Sequence, residues 1–255
     1  MNVAVTGASG DIGRRALDAL DDHELTLLTH SEHEEFDSVV LDVTEDLETF
    51  VDALDGADVL FHLAWIPVEG DDWDEARLEN VQGTYYAFEA AVENDLERVV
   101  FPSSNHAVQM YNVETPEEPE SMAAETKAID HDDVFRPSSY YGALKVGCEA
   151  LGSYYADRHG LEVINLRIGW LMDQETLREQ QEESEPDARF ARAMWLSHRD
   201  CEHAIRRSVE ADLPENPLTA NVVSQNAERT LSITHAMRSL GYRPRDDATE
   251  AIEAQ

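Results

Sequence analysis

Residues 2–13 read NVAVTGASGDIG, and the parsing of this stretch decides the fold. Asn2 to Thr6 form a short apolar run suited to a buried strand, and further on Ile12, Ala16, Leu17 and Leu20 recur at the spacing of one helix face. Between them, Gly7, Gly10 and Gly13 make a G-x-x-G-x-x-G loop. In such a strand–loop–helix unit the missing side chains let the backbone turn sharply and approach a ligand, while unpaired N–H groups at the helix start favour an anion. At the first strand of the chain this predicts a dinucleotide site, with Gly7, Ser9, Gly10, Asp11, Ile12 and Gly13 around a pyrophosphate.

The same rhythm continues outward. Apolar strands are expected at 24–29, 38–43, 58–64, 98–104 and 162–168, with helices around 46–55, 74–95 and 139–159. This alternation predicts an α/β fold, a Rossmann-type doubly wound parallel sheet covered on both faces. Residues 1–170 are read as the dinucleotide-binding domain with its catalytic helix. A helix at 189–212, a strand at 219–224 and a helix at 233–241 are read as a small C-terminal substrate lobe, 171–255, that does not fold independently. Two acidic, proline-punctuated stretches, 112–135 and 173–188, are read as surface loops, either solvated insertions or covers for a substrate cleft.

Composition narrows the classes. The chain has 255 residues, with 54 acidic side chains against 19 Lys plus Arg, a formal charge of −35 and a pI near 4.3. Such a surface repels nucleic acid and anionic lipid, so neither is expected as a partner. Hydrophobic residues make up 42% and fall in well-formed blocks, which implies a packed core rather than disorder. Self-repulsion on this scale is relieved at about 1 M salt, where the Debye length is roughly 3 Å, so a halophilic protein is expected. No apolar run approaches the roughly 20 residues of a membrane span, and no leader pattern precedes the first strand, so the cytoplasm is the expected location. Cys148 and Cys201 are too few for a disulfide framework and have no metal-ligand spacing with a histidine, so no metal is expected.

The chain has only two lysines, Lys127 and Lys145. Lys145 follows Tyr141 by four residues in a helical segment, which stacks the two side chains on one face. A free phenol titrates near pH 10 and is a poor base, but a fixed ammonium beside it favours the phenolate. Such a tyrosine can take a hydroxyl proton while hydride leaves the same carbon. The broad guanidinium fork of arginine is a poor substitute for a compact ammonium there.

The segments TGASGDIG, HLA (62–64), NVQGT (80–84), FPSSNH (101–106), YGALK (141–145) and LRIG (166–169) resemble the extended branch of the short-chain dehydrogenase/reductase family, the NAD-dependent epimerase/dehydratase family. SSNHA, RIG, AMWLSHRDC (193–201) and LGYRPRDDA (240–248) are similar to its subgroup of uronate dehydrogenases and haloarchaeal glucose-6-phosphate dehydrogenase. The resemblance implies that Ser104 hydrogen-bonds the reacting oxygen, that Tyr141 is the acid/base, and that Lys145 holds the nicotinamide ribose and tunes the tyrosine. It places Leu63, Ala64, Asn80 and Ile168 near the cofactor and Asn105 and His106 beside the substrate. Asp42 and Val43, after the third strand, are expected at the adenine. Thr29 and His30 stand where an acid usually binds the adenosine ribose, which admits NAD or NADP and tilts the expectation to NADP, with Arg14, Arg15 or His30 as phosphate partners.

The substrate side departs from the uronate pattern. Pro67 and Trp170 stand where uronate dehydrogenases carry serines, and Phe190 where they carry a carboxylate-clamping arginine, with Arg189 and Arg192 close enough to substitute. Trp65, Pro67 and Trp170 either wall an apolar pocket or belong to the core. The resemblance thus implies an NAD(P)-dependent enzyme oxidising a sugar or sugar-derivative hydroxyl, at the anomeric carbon of an aldose to give a lactone, and a homodimer or higher oligomer. A sugar-nucleotide epimerase or dehydratase with tightly bound NAD, and a non-catalytic NAD(P)-sensing regulator, are the alternatives.

Overall fold

Seven parallel strands organise the computed structural model, which describes residues 1–35, 37–67, 73 and 77–254. β1 (Asn2–Thr6) lies between β2 (Glu24–Thr29) and β4 (Val59–His62). β3 (Val39–Val40) ends the sheet beyond β2, while β5 (Arg98–Ser104), β6 (Glu162–Ile168) and β9 (Leu218–Val222) extend it beyond β4. The order β3-β2-β1-β4-β5-β6-β9 changes direction between β1 and β4, and there a cleft opens at the carboxyl ends of the strands.

Side-chain alternation along these strands builds two cores. Val3, Val5, Phe61, Val100 and Ile164 point to the face covered by α1 (Asp11–Ala19) and α7 (His198–Glu210). Ala4, Leu60, Val99 and Val163 point to the face covered by α2 (Leu47–Ala53), α3 (Glu79–Glu93) and α4 (Tyr140–His159). Leu60 is fully buried, and its truncation to Ala costs about 2–5 kcal/mol. No helix among the described residues is long and apolar enough to cross a membrane.

Several elements differ from expectation. The helix expected at 189–212 is two, α6 (Glu185–Met194) and α7, separated by β8 (Trp195–Leu196), which pairs with β7 (Trp170–Leu171). Trp195 is buried and its indole N–H donates to the Met172 carbonyl at 2.9 Å, while the Ser197 side chain accepts from the Asp200 N–H to start α7. Burying that indole outweighs helix continuity. The stretch 173–188 is not a loop: Asp173 caps α5 (Gln174–Glu179), and Leu177 is buried with Ala191, Trp195 and the unanticipated α9 (Ala248–Glu253). The strand expected at 219–224 in the small lobe is β9, hydrogen-bonded to β6 in the central sheet. The strand expected at 38–43 shrinks to β3, whose Val39 and Val40 are exposed at the sheet edge. Residues 74–76 of the helix expected at 74–95 lie outside the described residues, and α3 begins at Glu79. The helix expected at 233–241 is α8 (Thr234–Ser239).

The stretch 112–135 carries only isolated bridges, but it is anchored. Asn112 and Lys127 exchange two hydrogen bonds of 2.8 and 2.9 Å, and the N–H of buried Met122 donates to the Pro186 carbonyl at 3.0 Å. The two acidic stretches therefore pack on one another.

Candidate active site

The glycine loop is shaped by close approaches. Gly7 has φ +67°, and a Cβ there would lie 2.8 Å from the Ala64 nitrogen; one on Gly13 would lie 2.5 Å from the Gly7 carbonyl oxygen. A Cβ on Gly10 would meet nothing closer than 3.5 Å, because this glycine faces a cavity of about 510 Å³. The first amides of α1 follow it and have no partner one turn earlier, the arrangement that receives a phosphate. A cradle that a methyl group would fill or distort, ending at a helix N-terminus, fits a dinucleotide.

Of the expected cofactor residues, Gly7, Ser9, Gly10, His30, Asp42, Val43, Leu63, Ala64 and Asn80 line this cavity, as do Trp65 and Pro67 from the expected substrate set. Asp11, Ile12, Gly13, Thr29 and Ile168 do not. Thr29 is buried, donates to the Ser31 carbonyl at 2.8 Å and bonds the Ser38 hydroxyl at 2.7 Å, so it braces the β2–β3 connection instead. Ile168 sits in the sheet beside Ser104. Asn80 braces the wall: its side-chain carbonyl accepts the Ile66 N–H at 2.6 Å and its amide donates to the Ile66 carbonyl at 2.9 Å.

At the adenosine end, burial raises the Asp42 carboxyl, but the Thr44 hydroxyl and N–H and nearby His30 outweigh it and leave the acid below its ordinary range. His30 Nδ1 lies 3.6 Å from Asp42 and is the only basic side chain among the described residues lining the cavity. Arg14 and Arg15, the other expected phosphate partners, are paired with Glu35 at 2.6 Å and Glu202 at 2.9 Å.

The reacting groups meet beyond the other end of the cavity. A Cβ on Gly142 would lie 2.3 Å from the His106 carbonyl oxygen, so glycine lets the first turn of α4 close on the turn that follows β5. This contact brings the Tyr141 phenol near the Ser104 hydroxyl, whose influence favours the phenolate. The Tyr141 ring stands edge-on to Trp65 and to His106, each at 5.8 Å, whereas Tyr140 is exposed and packs on Trp73. Burial raises the Tyr141 phenol above its usual range, opposed by the Ser104 hydroxyl. Lys145 is buried, donates to the Pro102 carbonyl at 2.8 Å and lies 3.6 Å over the Trp65 ring. Burial lowers it to about 7, against the pull of Cys148 and Glu149. His62 next to it is held neutral, lowered to about 3 by burial and then by the Lys145 charge.

Residues 3–194 match the NAD dependent epimerase/dehydratase family. The chain belongs to that family. It is 50% identical over 252 residues, 98% of this chain and 99% of the relative, to an L-arabinose 1-dehydrogenase (NAD(P)(+)) of Haloferax volcanii. It is 36% identical to an NAD-dependent glucose-6-phosphate dehydrogenase of the same organism, over 97% of this chain and 94% of the relative. Among solved structures, a glucuronic acid dehydrogenase from Chromohalobacter salexigens superposes with a TM-score of 0.77 at 27% identity, covering all of this chain and 89% of the other.

In this member of the epimerase/dehydratase family the surroundings of His106 are assembled from distant segments. His106 bonds the Ser138 hydroxyl through Nδ1 at 2.8 Å, and its Nε2 is 4.0 Å from Glu120. Phe190 is buried between His106 and Trp170, with ring centroids at 6.2 and 6.0 Å. Arg189 and Arg192 are both held by other partners. Arg189 donates to the Met122 carbonyl at 2.8 Å, and Arg192 is held by Glu185, Glu228 and Gln181 at 2.8–3.2 Å. Sequence reasoning missed the Glu149–Arg167 pair, both residues 3% exposed at the side chain, which makes two bonds of 2.9 and 3.0 Å and takes the Ser103 hydroxyl at 2.5 Å. Its trace in the sequence is a glutamate one turn after Lys145 on an otherwise buried helix face. The approach of Glu120 to His106 was missed as well, since a single acid within an acidic run carries no signal.

Proposed function

We propose that this chain, an NAD(P)-dependent dehydrogenase, oxidises an aldose at its anomeric carbon and yields the lactone, with Tyr141 as proton acceptor. The observation that carries this reading is the convergence of Ser104, Tyr141 and Lys145 next to the glycine-loop cavity, with Lys145 Nζ 5.6 Å from the Tyr141 ring centre and 3.6 Å over Trp65 of the cavity wall. A bound nicotinamide dinucleotide supplies the acceptor for the hydride that leaves C1. Gly7, Ser9 and Gly10 hold its pyrophosphate, Asp42 and Val43 its adenosine end, and Lys145 the nicotinamide ribose. Ser104 and Tyr141 together hold the C1 hydroxyl, and Tyr141 takes its proton. With a value of about 7, Lys145 reaches both protonation states at neutral pH, and its ammonium form would counter the burial that raises the Tyr141 phenol.

The L-arabinose 1-dehydrogenase, half identical along nearly the whole chain, supports C1 as the carbon oxidised. A single histidine at the adenosine end, with Arg14 and Arg15 tied to carboxylates, supports use of both NAD and NADP rather than a preference for NADP. Exposed Tyr85 and Tyr154 on the neighbouring helices α3 and α4 support a homo-oligomer, which light scattering would size, and the cytoplasm is the location we propose. The deciding experiment follows reduced-cofactor absorbance with L-arabinose and other aldoses at molar salt. Turnover with lactone formation is the expected result. Failure of every aldose with either cofactor, while cofactor still binds, overturns the reading.

A further inference from the structure

Resting on that reading, we propose that the substrate cavity selects uncharged sugars and that Glu120 is the specificity-determining residue, accepting hydrogen bonds from ring hydroxyls and repelling anionic aldoses. A cavity of about 390 Å³ opens where the two acidic stretches meet. Its walls include Glu118, Glu120, Glu183 and Asp187, with Gln180 and the Trp170 indole. No basic side chain lines it among the described residues.

Its position ties it to the reaction. Glu120 is 4.0 Å from His106 Nε2, and the His106 ring stands edge-on to Tyr141 at 5.8 Å. Beside Ser104, Asn105 is 3% exposed and its side-chain amide nitrogen has no hydrogen-bond partner among the described residues, a buried donor suited to a sugar oxygen. A carboxylate is an acceptor-only group that can take two hydroxyl donors, and the flat Trp170 face suits the C–H face of a sugar ring. A sugar carboxylate or phosphate placed there meets several carboxylates and no free arginine, since Arg189 and Arg192 are committed to Met122, Glu185 and Glu228 and the residue after Arg189 is the buried Phe190, while the nearest imidazole, His106, already faces Glu120. Discrimination by like charge in a confined space is the repulsive half of specificity. Burial and the Asp187 charge raise the Glu120 carboxyl, consistent with acids crowded around one space.

The test compares L-arabinose, D-galactose and D-galacturonate, which share ring stereochemistry and carry hydrogen, hydroxymethyl and carboxylate at C5. Galactose controls for size. The wild-type enzyme is expected to show a kcat/KM for galacturonate at least about 100-fold below that for galactose. Glu120→Gln, which keeps an acceptor but removes the charge, is expected to narrow that ratio about tenfold, mainly through KM, and Glu120→Arg to narrow it further. Asp187→Asn provides a second charge-removing variant in case a Glu120 variant folds poorly. Raising KCl from about 0.5 M to about 3 M is expected to narrow the wild-type ratio in the same direction. Equal kcat/KM for galactose and galacturonate in the wild type, or a ratio that neither the variants nor salt moves, overturns the proposal. If no sugar is oxidised, the oxidation reading fails. Calorimetry with the same three sugars and oxidised cofactor then decides the selectivity: weaker galacturonate binding that Glu120→Gln restores supports it, and equal binding of all three overturns it.

Discussion

The two cavities of this dehydrogenase are made in opposite ways. The cofactor cavity, about 510 Å³, is lined mainly by residues 7–67 and shaped by backbone approaches at Gly7 and Gly13. The cavity proposed for the substrate, about 390 Å³, is lined by residues from 118–121, from Trp170 and from 180–187. A site built from backbone leaves its mark as missing side chains at short spacing. A site built from side chains on distant segments leaves no local mark, and neighbouring acids in the same run look alike.

The comparison can be broken most directly at Tyr141, which lines neither cavity. Tyr141→Phe should lower kcat about 10²–10⁴-fold with the cofactor dissociation constant within about twofold of wild type, measured by steady-state kinetics and calorimetry; a parallel loss of cofactor affinity would show that the two sides are not separable. Glu149→Ala strands the Arg167 guanidinium in the interior and should cost about 3–5 kcal/mol in urea unfolding, because the charge left behind is unpaired. Gly13→Ala should cost about 1–3 kcal/mol, since its Cβ meets backbone oxygen on both Gly7 and Ala8. It should weaken cofactor binding without changing the galactose-to-galacturonate ratio, sharpening the division.

Smaller effects come from Lys145 and from the outer arginines. In the cofactor-free protein the folded-state value of Lys145, about 7, lies below its unfolded value of 10.5. The folded protein therefore bears the full cost of a buried ammonium below pH 7 and is relieved of it as pH rises towards 10.5. Stability should rise across that window by at most about 1.4 kcal/mol per pH unit from this group, and Lys145→Met should remove that component of the slope in thermal melts. Arg192→Ala, which breaks an ion pair at the surface, should cost about 0.2–1 kcal/mol and leave the aldose KM within about twofold. A large rise in KM would place that arginine in the substrate site after all.

Much of the fold was legible because its elements carry their own periodicity. β1 and β4 to β6 are apolar runs bounded by breakers and α1 carries one apolar face, and packing them as a parallel sheet with its covering helix needs nothing more specific. The misreadings fall where a tertiary contact outweighs local pattern. Trp195 breaks a helix to bury its indole against Met172, and Leu177 turns an acidic stretch into a packed helix. Thr29 illustrates the same limit at the site: its position after β2 suggested a ribose contact, but its hydroxyl is taken by Ser31 and Ser38.

The amino-acid sequence by itself determined the βα unit, the glycine cradle and the pairing of Tyr141 with Lys145, because each depends on residues within one turn or one loop of each other. Only the tertiary structure decided that Thr29, Arg189 and Arg192 meet the partners they have, that Phe190 is buried beside His106, and that Glu120 lies 4.0 Å from His106. Those outcomes depend on which partner a side chain meets across the fold, and a hydrogen bond or ion pair with a residue tens of positions away is written in geometry rather than in spacing.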